Sequence, residues 1–237
     1  MPIPVPQLET LNRFAVVVIT GGSSGIGSSF IKAIEKIMPR AVVCNLSRSK
    51  PEVFLGEKGV HLSTDLSDAA QVEEAAQRLE KVIEAAAPGE VLLLNNSGFG
   101  DYGPAQEAEI GTQLNMIDLN IRAVVDLTLK LMPVMLERGG VVMNIASTAA
   151  FQPTPYLATY GATKAFVLNW SLALSEDLSG TKVRAMAICP GPTRSNFFKR
   201  AGFKTPPMEA GGFNKLLDMS ADEVAEPALR GLAKGKP

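Results

Sequence analysis

The feature that most constrains this chain is an alternation of short β-branched apolar runs with longer segments of helical periodicity. The runs Ala15–Ile19, Ala41–Leu46, Val60–Ser63, Val91–Asn95, Val141–Ile145 and Val183–Cys189 read as strands bounded by turn residues. Stretches such as AVVVI and VLLL are apolar at every position, which marks strands covered by helices on both faces rather than strands with one wet face. Helices are expected over Ile26–Ile37, Ala69–Ala86, Gly111–Glu137, Tyr156–Leu178 and Ala221–Lys234, with Pro39, Pro88-Gly89 and Gly180 as stops. Strand, helix, strand in repetition is the pattern of a parallel sheet built from crossover connections. The expected fold class is therefore α/β: a doubly wound parallel sheet with helices on both faces, in a single domain over residues 1–237. After the last helical segment the chain stops at Gly235-Lys236-Pro237, so no further apolar strand is expected.

At 237 residues, with 46% apolar and 20% charged residues, the chain has the composition of a packed globular domain and not of a disordered one. Its formal net charge of -1 leaves no electrostatic surplus to hold a polyanion or an acidic membrane surface, so neither nucleic acid nor membrane is an expected partner. The two cysteines, Cys44 and Cys189, lie in strand-like runs and read as small apolar packing residues. Met1 to Arg13 carries no basic n-region, and no run approaches the ~18 apolar residues of a membrane span. A cytoplasmic location is the expectation.

The first strand runs into Thr20-Gly21-Gly22-Ser23-Ser24-Gly25-Ile26-Gly27 and then directly into a helix. Residues without Cβ let the backbone turn tightly and approach a pyrophosphate, whose charge is met by the free N–H groups and positive dipole of the helix start. The physical parts are those of a Rossmann-like dinucleotide site. An acidic residue about twenty positions beyond the last glycine normally accepts from the ribose 2′-hydroxyl of NAD. That place is taken by Ser47, which repels nothing, and the neighbouring Arg48 offers a planar guanidinium suited to a 2′-phosphate. NADP(H) is the expected cofactor, in preference to NAD(H).

Tyr160 and Lys164 lie four apart in a helical segment, on one face, with Cβ atoms within about 6 Å. A nearby ammonium favours a phenolate and brings a tyrosine closer to proton exchange at neutral pH. Ser147 follows the strand Val141–Ile145 at its carboxyl end, where ligands of open parallel sheets collect, and can hydrogen-bond a substrate oxygen.

With these residues in order and spacing, the chain resembles the short-chain dehydrogenase/reductase family from Thr20 to about Thr193. The family's glycine loop matches Thr20 to Gly27, and its N-N-A-G motif matches Asn95-Asn96-Ser97-Gly98, with serine in place of alanine. The resemblance implies a catalytic set of Asn120, Ser147, Tyr160 and Lys164. It further implies that Asp65-Leu66 contacts the adenine and that Pro190-Gly191-Pro192-Thr193 holds the nicotinamide carboxamide. In the implied mechanism Ser147 orients the carbonyl, Tyr160 donates its proton, Lys164 binds the nicotinamide ribose and lowers the tyrosine pKa, and Asn120 holds a relay water. The implied activity is hydride transfer between a nicotinamide and a carbonyl or alcohol, in a homodimer or homotetramer. A sensor that binds the cofactor without turnover is the alternative, and the presence of both Tyr160 and Lys164 counts against it.

Specificity is expected in Phe99–Pro104, Phe151–Tyr156 and a lid over about 193–213. Phe99, Tyr102, Phe151, Tyr156, Phe197, Phe198, Phe203, Met208 and Phe213 are candidates to line an apolar pocket closed by a mobile lid, suited to an apolar ketone, aldehyde or secondary alcohol. His61, the sole histidine, reads as structural, and no ligand set for a metal is apparent. The helix around Trp170 is apolar beyond one stripe and needs burial outside its own sheet.

Overall fold

Six parallel strands, β1 (Phe14–Thr20), β2 (Val42–Ser47), β3 (Val60–Ser63), β4 (Glu90–Asn95), β5 (Gly140–Ile145) and β6 (Val183–Ile188), form the central sheet of this computed structural model. The structure describes residues 8–53, 55, 57–203 and 219–235. Strand order is β3-β2-β1-β4-β5-β6. Helices α1 (Gly25–Ile37), α2 (Ala69–Ala85), α3 (Ile110–Ile117), α4 (Ala123–Arg138), α5 (Ala158–Asp177), α6 (Phe197–Arg200) and α7 (Asp222–Ala233) connect or follow the strands. The apolar runs bury as their composition requires: Val16, Val18, Leu93 and Val142 pack toward α2, α4 and α5, while Val17, Ile19, Leu92 and Met143 pack toward α1 and α7. The doubly wound sheet expected from the sequence is the observed architecture.

The order places β1 beside β4, so the chain reverses direction across the sheet between them and opens a crevice beyond their carboxyl ends. Thr20 and Asn95 end the two strands that flank it.

Two helices depart from the sequence reading. Gly111–Glu137 is not continuous: α3 ends at Ile117, a π-turn covers Asp118–Arg122, and α4 resumes at Ala123. Periodicity over so long an apolar segment cannot register one inserted residue, but the inserted turn is what directs Asn120 inward. The helix expected from Tyr156 starts at Ala158, because Tyr156 holds a left-handed φ of 64° that no helix accommodates.

Past β6, β7 (Thr193–Arg194) pairs with β8 (Met219–Ser220), and α6 lies between them in sequence. Met208 and Phe213 lie outside the described residues, as does most of the second half of the expected lid.

Candidate active site

The glycine turn is fitted to its neighbours by close approach. Gly21 adopts φ 70° and Gly25 φ 55°, conformations that favour glycine. A Cβ on Gly27 would strike the Gly21 carbonyl and come within 2.6 Å of Asn96 Nδ2. Thr20 Oγ1 accepts from the main-chain N–H of both Asn96 and Ser97 at 2.9 Å, and Asn96 Nδ2 donates to the Thr20 carbonyl at 2.9 Å. The β1 and β4 ends are thereby locked together across the crevice. Ser24, the N-cap of α1, makes no side-chain capping bond, and the first turn holds no acid. By contrast, Asp68 caps α2 and Glu109 caps α3 through paired main-chain N–H groups. The start of α1 thus keeps donors and dipole available to an anion, and the cradle fits a dinucleotide pyrophosphate.

Farther along the crevice, Ser47 is buried, and its hydroxyl donates to the Ser49 carbonyl at 2.8 Å, while Arg48 is exposed. Asp65 accepts from the Ser67 hydroxyl and main chain, and that hydroxyl, helped by the Arg48 charge, holds the carboxyl below its usual range. Leu66 is buried. Thr193 is also buried, with Oγ1 donating to the Gly191 carbonyl at 2.9 Å, so its hydroxyl is engaged locally. Ser195 instead stands over the glycine turn, its Cβ 3.4 Å from where a Cβ on Gly25 would lie. Sequence reasoning stopped at Thr193 and missed it; the signal was a second hydroxyl two residues on.

Tyr160 and Lys164 rise from one face of α5, and Lys164 Nζ lies 5.9 Å from the Tyr160 ring centroid. Ser147 leaves the end of β5 with its side chain near the Tyr160 phenol, close enough to favour the phenolate. Burial raises the Tyr160 pKa over its usual value and the nearby Ser147 side chain only partly opposes it, so the lowering expected from Lys164 does not prevail. The lysine itself is pushed down to about 8 by burial, and Nζ donates to the Ile145 carbonyl at 2.8 Å. Cys189, read from sequence as packing, lies half-buried just past β6; burial raises its thiol pKa, and the nearby Ser147 main chain and Lys164 ammonium partly oppose that.

Asn120 sits in the π-turn and is almost fully buried. Its Oδ1 accepts from Phe99 N at 3.1 Å, and its Nδ2 donates to Phe99 O at 2.9 Å and Thr163 Oγ1 at 3.0 Å. Both amide hydrogens are used, leaving only acceptor capacity for a water. Gly98 makes room for the group: a Cβ there would lie 3.1 Å from Asn120 Oδ1 and 3.2 Å from Lys164 Nζ.

Over Tyr160 lies a chain of rings. Phe197 packs on Tyr160 at 5.1 Å between centroids, Phe198 on Phe197 at 5.4 Å, Phe203 on Phe198 at 5.2 Å, Tyr102 on Phe203 at 4.0 Å and Tyr156 on Tyr102 at 5.7 Å. Main-chain bonds from Tyr102 to Ala201 and from Gly103 to Tyr156 tie the three loops together. Phe151 does not join them. It is 68% exposed and lines a separate groove of about 590 Å³ with Pro153, Pro155, Ala158 and Ala162.

Residues 15–204 match the family described as short chain dehydrogenase. The ketoacyl reductase HetN of Nostoc is 29% identical over 88% of this chain and 77% of its own length. The NADP-dependent 3-hydroxy acid dehydrogenase YdfG of Escherichia coli O6:H1 is 32% identical over 80% and 77%. Among solved structures, a short-chain dehydrogenase from Sphingobium yanoikuyae in complex with NADPH superposes with a TM-score of 0.79 at 26% identity, covering 94% of this chain and 86% of that one. A serine dehydrogenase complexed with NADP+ superposes with a TM-score of 0.75 at 27% identity, over 90% and 87%. Given this match along most of its length, on a fold with a dinucleotide crevice at the β1–β4 reversal, the chain belongs to the short-chain dehydrogenase family of oxidoreductases, which act on CH–OH or C=O groups with NAD(P).

Proposed function

We propose that this protein is an NADP(H)-dependent oxidoreductase that interconverts a carbonyl and a secondary alcohol on a largely apolar substrate. The observation that carries the reading is the convergence of Ser147, Tyr160 and Lys164 at the carboxyl ends of β5 and β6, beneath a roof of aromatic rings. When bound, the nicotinamide supplies or accepts the hydride. Gly21 to Gly27, with Ser23, Ser24 and Ile26 in the turn, would receive the pyrophosphate, and Asn96, Ser97, Gly98 and Pro190 to Ser195 would flank the nicotinamide half.

Ser147 holds the substrate oxygen beside the Tyr160 phenol. A phenol kept above its ordinary pKa is protonated at neutral pH, which is the state that donates to a carbonyl. Alcohol oxidation needs the phenolate, so its rate should climb with pH while reduction falls. Lys164, charged below about pH 8, is placed to bind the ribose and to stabilise the phenolate as it forms. Asn120 holds the loop carrying Phe99 rather than offering its amide to water, so a relay water would rest on Oδ1 or on the main chain.

Arg48 stands exposed where the 2′-phosphate would lie, and three relatives named for NADP or NADPH support the preference. Free thiols at Cys44 and Cys189 suit a reducing, cytoplasmic setting. Among the described residues no helix is long and apolar enough to cross a membrane.

The test is oxidation of NADPH and of NADH against a panel of apolar aldehydes and ketones. NADPH turnover is expected, Tyr160→Phe should lower kcat by about 10²–10⁴, and Arg48→Ala should erase the NADPH preference. Cofactor binding with no turnover on any substrate would overturn the reading in favour of a sensor.

A further inference from the structure

Asn45 is the one polar side chain in the middle of β2, between Cys44 and Leu46, and it is fully buried. A buried carboxamide is costly unless every group on it is bonded, and an apolar residue would fill the strand without that demand. All of its groups are bonded. Oδ1 accepts from the Gly22 main-chain N–H at 2.8 Å. Nδ2 donates to Ser47 Oγ at 2.8 Å and meets His61 Nδ1 at 3.0 Å. Ser47 Oγ passes the connection on by donating to the Ser49 carbonyl at 2.8 Å. The contact is close enough to dictate its neighbour: a Cβ on Gly22 would overlap Asn45 Oδ1.

These bonds end on two segments far apart in sequence. Gly22 belongs to the turn that faces the pyrophosphate, and Ser47–Ser49 brackets Arg48. The Arg48 main chain is held from the far side as well, its carbonyl accepting from Ser63 Oγ at 3.3 Å. His61, on β3, is the outer buttress of the same carboxamide; taking the Asn45 N–H on Nδ1 leaves that nitrogen without a proton.

We propose that Asn45 is a positioning residue whose carboxamide sets the spacing between the pyrophosphate turn and Arg48, and so determines how strongly the protein favours a 2′-phosphorylated dinucleotide over its unphosphorylated counterpart. The inference rests on the dinucleotide reading above. Asn45 is fully buried, so it acts through Gly22 and Ser47 rather than by meeting a ligand directly. Two anchor points on one ligand bind best when their separation matches it, and a misplaced anchor costs affinity without altering the reacting groups.

The experiment titrates the full chain and Asn45→Val with NADPH and with NADH by nucleotide fluorescence, alongside steady-state kinetics. NADPH Kd should rise about tenfold or more, NADH Kd by about threefold or less, and kcat at saturating NADPH should stay within about twofold. Uniform weakening of both nucleotides, or an unchanged NADPH-to-NADH ratio, overturns the inference and reduces Asn45 to a strand-packing residue. If Asn45→Val does not fold, the isosteric Asn45→Asp carries the test, because its second oxygen cannot donate to Ser47 or His61, and the same collapse of the ratio is expected. Absence of dinucleotide binding by the unaltered chain would instead sink the dinucleotide reading, so the two failures are distinguishable.

Discussion

Lys164 and Tyr160 illustrate how burial overrides pairwise attraction at a single residue. Four positions apart on α5, they would be expected to share charge, yet the interior penalises the ammonium and the phenolate alike. The lysine penalty is measurable. Its folded pKa of about 8 lies below an unfolded value near ~10.4, so between the two the unfolded chain holds more protons and stability rises with pH. Below pH 8 both states are protonated and the cost is present in full. Urea titrations of the unaltered protein and Lys164→Met should therefore diverge in slope from about pH 8 to 9.5, the unaltered protein gaining on the order of 2 kcal/mol relative to the variant. Above pH 10 the trend reverses through Tyr160, whose raised folded pKa makes the native state the better proton holder. Parallel curves across the window would mean that Lys164 is solvated in the native protein.

At the scale of elements, the π-turn between α3 and α4 is the decisive irregularity. One extra residue per turn is costly in a regular helix and is found mostly where a side chain must be re-aimed. Here it turns Asn120 into contact with Phe99 and Thr163, joining the loop after β4 to α5. Asn120→Leu would leave the Phe99 N–H and carbonyl without their partner. The expected loss is on the order of 2–4 kcal/mol of stability, from unsatisfied buried groups. A fall in kcat of about 10–100-fold should accompany it as the loop beside Lys164 loosens. Chemical denaturation and steady-state kinetics on the same preparation check both. Loss of stability with unchanged kcat would assign Asn120 to the fold alone. A comparable polar ladder stands behind the site, where Asn95 bonds Thr128 and Asn144, and Asn144 bonds Ser171, pinning β4, β5 and two helices in register.

For the whole molecule, the exposed apolar positions are not scattered. Ile110, Leu114 and Ile117 fall at i, i+4 and i+7 on α3, one stripe of a helix, and Leu129 and Leu136 repeat at seven on α4. Ile110 is 74% exposed and Leu114 56%. On α5, Phe166 and Leu172 are also exposed, as expected of a helix apolar beyond the stripe that meets its sheet. We propose that these exposed apolar stripes carry the contact between copies of the chain in the homodimer or homotetramer expected from the sequence. Light scattering after size exclusion should give an assembly for the unaltered protein and a monomer for Leu114→Lys combined with Leu129→Lys. A monomer in both cases would remove the assembly from the picture.

How much of this was legible without coordinates depends on the range of the physics. Strand positions in the core, helix stops and the glycine turn follow from local pattern, because burial on both faces and left-handed turns leave their mark on consecutive residues. Ser147, Tyr160 and Lys164 could be singled out for the same reason: their spacings along the chain match one strand end and one helix face. The π-turn, the left-handed Tyr156, the displacement of Phe151 into an outer groove and the place of Ser195 over the glycine turn could not, since each is settled by what packs against it from elsewhere in the chain. Asn45 is the sharpest case. Its polarity inside an apolar run was visible in the sequence, and Ser47 lies two residues along the same strand, but only the parallel alignment of β1, β2 and β3 brings Gly22 and His61 to its carboxamide. Local sequence determined which elements form and which side chains are candidates for the chemistry; the tertiary structure decided their protonation, their partners and the distances between them, because desolvation and hydrogen bonding are properties of neighbours that sequence does not adjoin.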